Sequence, residues 1–313
     1  MKLKQNSTKE IAEIWNVSER RVRKLCEEGR IAGATKIGWI WGIPLDTRKP
    51  TDKRVTASKT KLPPILFNQN KSFKSIDQKK QKLDSFRPLP KQTLLSLREN
   101  MILEWTYNTN AIEGNTLTLS ETKVVLEGIT VGGKSMREHL EAINHKEAIL
   151  FLETLVKKSE LLTQWNIKNL HQLVLKNIDN ENAGTYRHEN VVISGAQHIP
   201  PAHYLVEEQM ERLVERYQRD WQRLHPIIRA TLVHGEFVKI HPFIDGNGRT
   251  ARLLMNFELM KAGYPPAIIK APIRLKYYQA LDKAHTKSQY DELIDLVAES
   301  LDQSLVFWLR LMK

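Results

Sequence analysis

Through most of residues 84–313 apolar side chains return every three or four positions. Leu94, Leu97, Met101 and Trp105 share one helical face, and the same rhythm recurs around 120–127, 137–156, 166–176, 203–224, 226–239, 248–262 and 292–312. A mainly α fold is expected there. One stretch breaks the rhythm: ENVVISGAQHI, residues 189–199, has a β-branched run, a turn-forming Gly195 and a following Pro200-Pro201, which together predict a β-hairpin.

The first 47 residues carry a shorter pattern. Ser7 followed by Glu10 predicts a capping box opening a helix with Ile11, Ala12 and Trp15 inward. After a turn at Asn16-Val17-Ser18, Ser18 can cap a second helix that buries Val22 and Leu25 and ends at Gly29. The outer face of that helix would carry Arg20, Arg21, Arg23 and Lys24, a row of cations suited to phosphates along a DNA groove. ATKIGWIWGIP then reads as a small hairpin. Over about 45 residues this order resembles the winged helix-turn-helix of excisionase-like and MerR-like DNA-binding domains, except that the wing offers Trp39 and Trp41 with Lys36 as its charge.

Charge sharpens the division. The chain of 313 residues has a net charge of +12, and residues 1–83 hold 20 Lys+Arg against 8 Asp+Glu, while the remainder holds 28 of each. The whole excess lies in the first quarter, which points to a polyanion partner, most simply DNA. Residues 48–83, with 11 basic and 2 acidic residues and a Pro63-Pro64 step, read as a basic linker. A single cysteine, Cys26, suits a reducing compartment, and no apolar run reaches the roughly 20 residues of a membrane span, so a cytoplasmic protein without membrane contact is expected.

GITVGGKS, Gly128 to Ser135, satisfies the phosphate-loop pattern GxxxxGK[ST] literally. That pattern needs a strand before it and a helix after it. The preceding SETKVVLEG reads as a helix capped by Ser120 and stopped by Gly128, so a turn between helices is the better account.

Chemistry concentrates in HPFIDGNGRTAR, His241 to Arg252. Pro242 ends the preceding helix and leaves His241 at the edge of a loop, placed to act as general base. Gly246, Asn247 and Gly248 allow main-chain N–H groups to approach an anion at the start of the next helix. Arg249 and Arg252, three apart, are expected to reach a polyphosphate over that helix end, and Asp245 is a hard oxygen ligand for Mg²⁺.

These twelve residues resemble the signature of the Fic family (filamentation induced by cyclic AMP), HxFx[D/E]GNGRxxR, at every defined position. The resemblance implies a compact helical Fic fold with a β-hairpin flap, and Mg²⁺-dependent transfer of AMP from ATP to a Ser, Thr or Tyr hydroxyl of a protein, releasing pyrophosphate. It assigns His241 as base, Asp245 as Mg²⁺ ligand, Asn247 and the glycine amides to the α-phosphate, and Arg249 and Arg252 to the outer phosphates. TNAIEGN is similar to the family's inhibitory motif, here Thr109, Glu113 and Gly114 at the end of a helix around 94–113. A bidentate Glu113–Arg252 pair would take the arginine away from the γ-phosphate. Val191, Val192 and Ile193 resemble the flap that aligns a target segment by strand addition, and Tyr278 would fall near the adenine.

The expectation is therefore a winged helix-turn-helix over 1–47, a linker over 48–83 and a Fic domain over 84–313. Its activity would be that of an autoinhibited protein adenylyltransferase, with self-modification and the reverse removal of AMP as variants. Family resemblance adds a homodimer. The competing expectation is a DNA-binding transcription regulator whose Fic domain senses nucleotide.

Overall fold

The computed structural model describes residues 5–15, 17–38, 40–45, 47, 65–68 and 71–312. It divides into two compact units, 1–64 and 65–313.

In the first unit, β1 (Gln5–Asn6) leads into α1 (Thr8–Trp15), then α2 (Glu19–Glu27), β2 (Thr35–Ile37) and β3 (Ile40–Pro44). Ser7 and Glu10 exchange hydrogen bonds across the first turn of α1, and the Ser18 hydroxyl accepts from Arg21 N–H at the start of α2. The three strands pair antiparallel in the order β1-β3-β2, with Thr35 opposite Gly42 and Gln5 opposite Pro44. Ile11, Ala12, Trp15, Val22, Leu25, Cys26, Ile31 and Ile43 make its core. On α2, Arg20, Arg23 and Lys24 are exposed and Arg21 is half-buried, while Arg23 pairs with Glu19 at 2.8 Å. Trp39 of the expected wing and residues 48–64 of the expected linker lie outside the described residues.

The second unit starts earlier than residue 84. The last ten residues of the expected linker, 74–83, belong to α3 (Lys74–Asp84), which packs on α12 (Asp291–Arg310). Phe73, Ile76 and Leu83 are the apolar residues that bury it. Its polar surface hid the helix: Asp77 accepts from Tyr264 at 2.6 Å, and Lys79 pairs with Asp302 at 2.5 Å.

Eight further helices lie between: α4 (Lys91–Ile112), α5 (Leu119–Leu126), α6 (Met136–Lys157), α7 (Gln164–Leu175), α8 (Val206–Arg219), α9 (Pro226–Ile240), α10 (Asn247–Lys261) and α11 (Arg274–Lys287). The packed pair α9 and α10 lies at the centre, with α6, α7 and α4 against α10, and α8, α11 and α12 against α9. α5 is capped by Thr118 rather than Ser120, because Thr118 and Glu121 complete a capping box. GITVGGKS is a loop between α5 and α6, in which Ser135 caps α6 and Lys134 donates to the Thr116 carbonyl at 2.6 Å. It follows a helix, not a strand.

The predicted hairpin at 189–199 is a correction. The segment turns at Gly195, φ 80°, with Ala196 N–H to the Ile193 carbonyl at 3.1 Å, but it forms no strand ladder. A lone two-stranded hairpin is marginal in water. Here the Gln197 and His198 N–H groups donate instead to Asp282 on α11, at 2.8 and 3.2 Å.

Candidate active site

α9 stops because Pro242 has no N–H to extend its ladder. His241 takes the C-cap in the left-handed region, φ 50° and ψ 60°, where a non-glycine residue must be held in place. Arg187 holds it. The buried guanidinium donates from Nε to the His241 carbonyl at 2.8 Å, from Nη1 to Glu189 O at 2.8 Å and from Nη2 to Pro201 O at 2.5 Å. The Arg187 N–H also reaches the Pro242 carbonyl at 2.9 Å. Burial pushes the His241 imidazole down to about 4, with a main-chain contact to Val238 working the other way. The ring is neutral at physiological pH, as a base must be.

The loop between α9 and α10 is closed from within. The Asn247 side chain accepts from Phe243 N–H at 3.0 Å and donates to the Phe243 carbonyl at 2.9 Å. This amide, expected at the α-phosphate, also braces the loop, and the main-chain N–H groups at the start of α10 lie beside it. Below it, His171 of α7 stacks on Phe243 with ring centroids 3.5 Å apart and planes within 2°. Gly184 N–H donates to His171 Nδ1 at 2.9 Å, so Nε2 carries the proton and donates to the Asp245 carbonyl at 2.8 Å. Gly246, at φ 74°, takes a backbone conformation that favours glycine, and a Cβ there would also crowd that Nε2 at 3.2 Å. His171 and Arg187 escaped the sequence reading because each acts on main chain more than fifty residues away and belongs to no motif.

The two arginines diverge. Arg252 turns toward α4: Nε donates to Thr109 Oγ1 at 2.7 Å, Nη2 to the Thr109 carbonyl at 3.1 Å and to Glu113 Oε1 at 2.6 Å, and Nη1 to the Tyr277 hydroxyl at 3.3 Å. The Glu113 contact is single rather than bidentate, because Thr109 and Tyr277 occupy the other nitrogens. Burial disfavours the Arg252 charge, but Glu113 and Tyr277 outweigh it and hold the group above its ordinary value. Arg249 turns toward α6, with Nη1 3.2 Å from Glu141 Oε1 and Nη2 3.2 Å from Asp245 Oδ1. The Glu141 approach is an ion pair without hydrogen-bond geometry, so the buried Nε and Nη1 both have no hydrogen-bond partner.

Glu113 lies directly over the start of α10. A Cβ on Gly248 would meet Glu113 Oε1 at 2.2 Å, so the carboxylate sits against the main chain where a bound phosphate would approach. Gly114, at φ 99°, makes the turn that follows. Tyr278, half-exposed, donates its hydroxyl to the Ile112 carbonyl at 2.9 Å and so caps the end of α4 beside Glu113. Thr109, Glu113, Tyr278, His241, Asp245, the glycines and both arginines thus share one region. Val191, Val192 and Ile193 belong to the turn segment beyond Arg187, with Val192 80% exposed. Arg20, Arg21, Arg23 and Lys24 belong to the first unit.

Asp245 accepts at Oδ1 from Gly246 N–H at 2.5 Å and at Oδ2 from Arg137 Nη2 at 2.5 Å. Burial opposes its charge, yet Arg249, the Gly246 N–H and Arg137 hold the carboxyl below its usual range. Among the described residues no cluster of three His, Cys, Asp or Glu side chains is placed to hold a metal. A single ionised carboxylate still fits Mg²⁺ that takes its other ligands from phosphate oxygens and water.

The Fic/DOC family matches residues 161–259, which run from just before α7 through the loop between α9 and α10 into α10. The solved structure of Fic-1 (residues 134–508) from C. elegans is 32% identical, covers 77% of this chain and 71% of its own, and superposes with a TM-score of 0.71. The chain belongs to the Fic family. A Fic domain containing signaling protein from Bacteroides thetaiotaomicron is 27% identical with a TM-score of 0.69, covering 76% of this chain and 96% of that one. Among proteins named protein adenylyltransferase Fic, that of Nematostella vectensis is 40% identical over 76% of this chain and 56% of its own length. The Drosophila erecta protein is 33% identical over 84% and 53%. The chain spans about half the length of these curated relatives. The Fic match covers the loop together with His171 and Arg187, while Thr109, Glu113, Arg137, Glu141 and Tyr277 reach the loop or its two arginines from outside the matched residues, and Tyr278 lies outside them too.

Proposed function

We propose that this protein transfers AMP from ATP to a hydroxyl of a protein and that Glu113 holds it inactive. The observation that carries the reading is the Glu113 carboxylate, paired with Arg252 at 2.6 Å and seated over Gly248. The relatives' name, protein adenylyltransferase, supports the reaction class.

In the reaction the acceptor oxygen attacks the α-phosphorus, its proton passes to the neutral His241 ring, and the bond to the β-phosphate oxygen breaks with release of pyrophosphate. The α10 N-terminus stabilises the added charge through its unpaired N–H groups. Mg²⁺, held by Asp245, would neutralise phosphate oxygens. Arg252 supplies the outer phosphates with a cation only when Glu113 leaves it, so the resting enzyme binds nucleotide in an unproductive pose.

Full-length protein incubated with Mg²⁺ and ATP labelled at the α-phosphate tests this. Glu113→Gly should raise AMP incorporation into itself or an added protein at least tenfold, about 1.4 kcal/mol of released inhibition. Adding His241→Ala should remove it by two orders of magnitude or more, the usual contribution of a positioned base. No labelling by Glu113→Gly sinks the proposal. Release of AMP from a modified protein by wild type alone would assign Glu113 to the reverse reaction.

A second part concerns the first unit. The exposed Arg20, Arg23 and Lys24 on α2 support DNA binding by a winged helix-turn-helix. Affinity of the full chain for duplex DNA should fall steeply with salt, and Arg20→Ala with Lys24→Ala should reduce the slope by about two. Salt-independent or absent binding would refute it.

A further inference from the structure

Arg137 stands at the first turn of α6 and reaches across to the catalytic loop. Its Nη2 lies 2.5 Å from Asp245 Oδ2, and its Nε donates to Glu141 Oε1 at 3.2 Å. The two oxygens of Asp245 are unequally placed. Oδ1 accepts from Gly246 N–H and Arg249 Nη2, both within the loop and its helix, while Oδ2 accepts from Arg137. The holders differ as well: the Arg249 side chain is 3% exposed and fixed, whereas that of Arg137 is 57% exposed. A solvent-facing arginine on a flexible stem can leave; a buried one cannot.

Glu141 extends the arrangement. Its carboxylate is nearly buried; it accepts hydrogen bonds from Arg137 and, at 2.9 Å, from the side-chain amide of Asn115, two residues past Glu113, and lies 3.2 Å from Arg249 Nη1 as an ion pair. Glu141 therefore ties the end of the inhibitory segment to both arginines that touch Asp245.

We infer that Arg137 is a built-in counter-cation for Asp245, occupying the outer carboxylate oxygen until a divalent cation arriving with nucleotide displaces it. The inference rests on the reading of Asp245 as the ligand of a nucleotide-bound Mg²⁺. Like charges cannot share that oxygen cheaply, so the arginine and the dication compete for it. Arg137 keeps the carboxylate ionised and aimed, and Glu141 retains the displaced guanidinium nearby for return when product and cation depart. Arg137 is a positioning residue, since it acts on Asp245 and not on the reacting atoms.

The test measures Mn²⁺ binding by electron paramagnetic resonance in the presence of a non-hydrolysable ATP analogue. It uses the full chain in the Glu113→Gly background with Arg137→Gln, Arg137→Lys and Asp245→Ala added singly. Arg137→Gln should bind Mn²⁺ about fivefold more tightly at low salt, with the gain shrinking at 0.5 M salt as screening rises. Arg137→Lys, which keeps the charge, should stay within twofold of the parent. If Arg137→Gln binds Mn²⁺ equally or more weakly while Asp245→Ala still loses affinity, the counter-cation assignment is overturned and the metal reading survives. If Asp245→Ala leaves affinity unchanged, the metal reading fails and the inference falls with it. Circular dichroism of Arg137→Gln should match the parent, because the side chain lies mostly in solvent.

Discussion

The catalytic loop and the segment that follows Arg187 lie side by side and are built on opposite principles. From His241 to Asn247 the loop's polar groups turn inward: Asn247 closes on Phe243, His171 seats the Asp245 carbonyl and Arg187 grips the His241 carbonyl. From Glu189 to Ile199 the chain is anchored at its ends, by Arg187 on one side and Asp282 on the other, and presents Val192 and Ile199 to solvent. The first arrangement fixes a geometry that the chemistry cannot vary. The second leaves apolar side chains exposed, as the proposed docking of an acceptor segment would need. On the proposed reading, preorganisation is concentrated on the donor side and withheld on the acceptor side.

The largest effect expected from this difference is on acid stability. Burial holds His171 and His241 down to about 4, and His234 and His285 to about 3; His145 is likewise pushed well below its ordinary value. The folded chain then carries fewer protons than the unfolded chain between about pH 4 and 6.5, so stability is full above 6.5 and is lost as pH falls. Each such histidine contributes about 1.4 kcal/mol for every pH unit below its unfolded value. Together the five predict a loss on the order of 7 kcal/mol between pH 7.5 and 5.5, read as a lower urea midpoint. An unchanged midpoint would mean these rings are not held neutral and the loop is less rigid than its contacts imply.

His171→Ala probes the loop alone. It removes a stacked ring and two hydrogen bonds from a buried site, which should destabilise the protein by about 3 kcal/mol and weaken nucleotide binding with it. His171→Gln should restore part of both. If stability falls while nucleotide affinity holds, the ring is packing and the loop is kept by Asn247.

This brace also marks the limit of what the chain announces about itself. His241 to Arg252 is legible because base, carboxylate, glycines and arginines are consecutive, and the helices that carry them show in the apolar spacing. The Glu113–Arg252 pair was legible through the short run from Thr109 to Gly114, though not its single-pronged form, which depends on Tyr277 and Thr109 meeting the same guanidinium. His171 and Arg187 were illegible because their partners are main-chain carbonyls, and any residue offers one. Residues 74–83 looked like linker because three apolar side chains, Phe73, Ile76 and Leu83, suffice to bury a helix whose remaining surface is charged. The ladder expected at 189–199 failed for the opposite reason: strand propensity without a neighbouring strand specifies a shape, not a pairing.

Gly248→Ala tests how closely Glu113 rests on the loop. In wild type the new Cβ would meet Glu113 Oε1 at 2.2 Å, so the carboxylate must shift and its bond to Arg252 weaken, at about 1–2 kcal/mol. In the Glu113→Gly background only the Arg252 Nη1, 3.3 Å from the new Cβ, remains close, and alanine's better helix propensity should make the change nearly neutral. Thermal unfolding of the four proteins gives a coupling of about 1–2 kcal/mol. Additive effects would show that Glu113 does not occupy this position in solution.

The smallest effect belongs to the open half. Val192→Asp places a charge on a side chain that is 80% exposed, so folding and the urea midpoint should not change. If an acceptor segment pairs along this edge, the charge opposes an apolar contact at its rim, and KM for a protein acceptor should rise about threefold, under 1 kcal/mol. KM for ATP should stay the same, because no contact connects Val192 to the α10 N-terminus. A matching rise in both constants would place the segment within the nucleotide site and erase the contrast between a fixed donor side and an adaptable acceptor side. A change in neither would leave acceptor choice to another surface, and the exposed Ile199, on the other arm of the same turn, would be the next residue to charge.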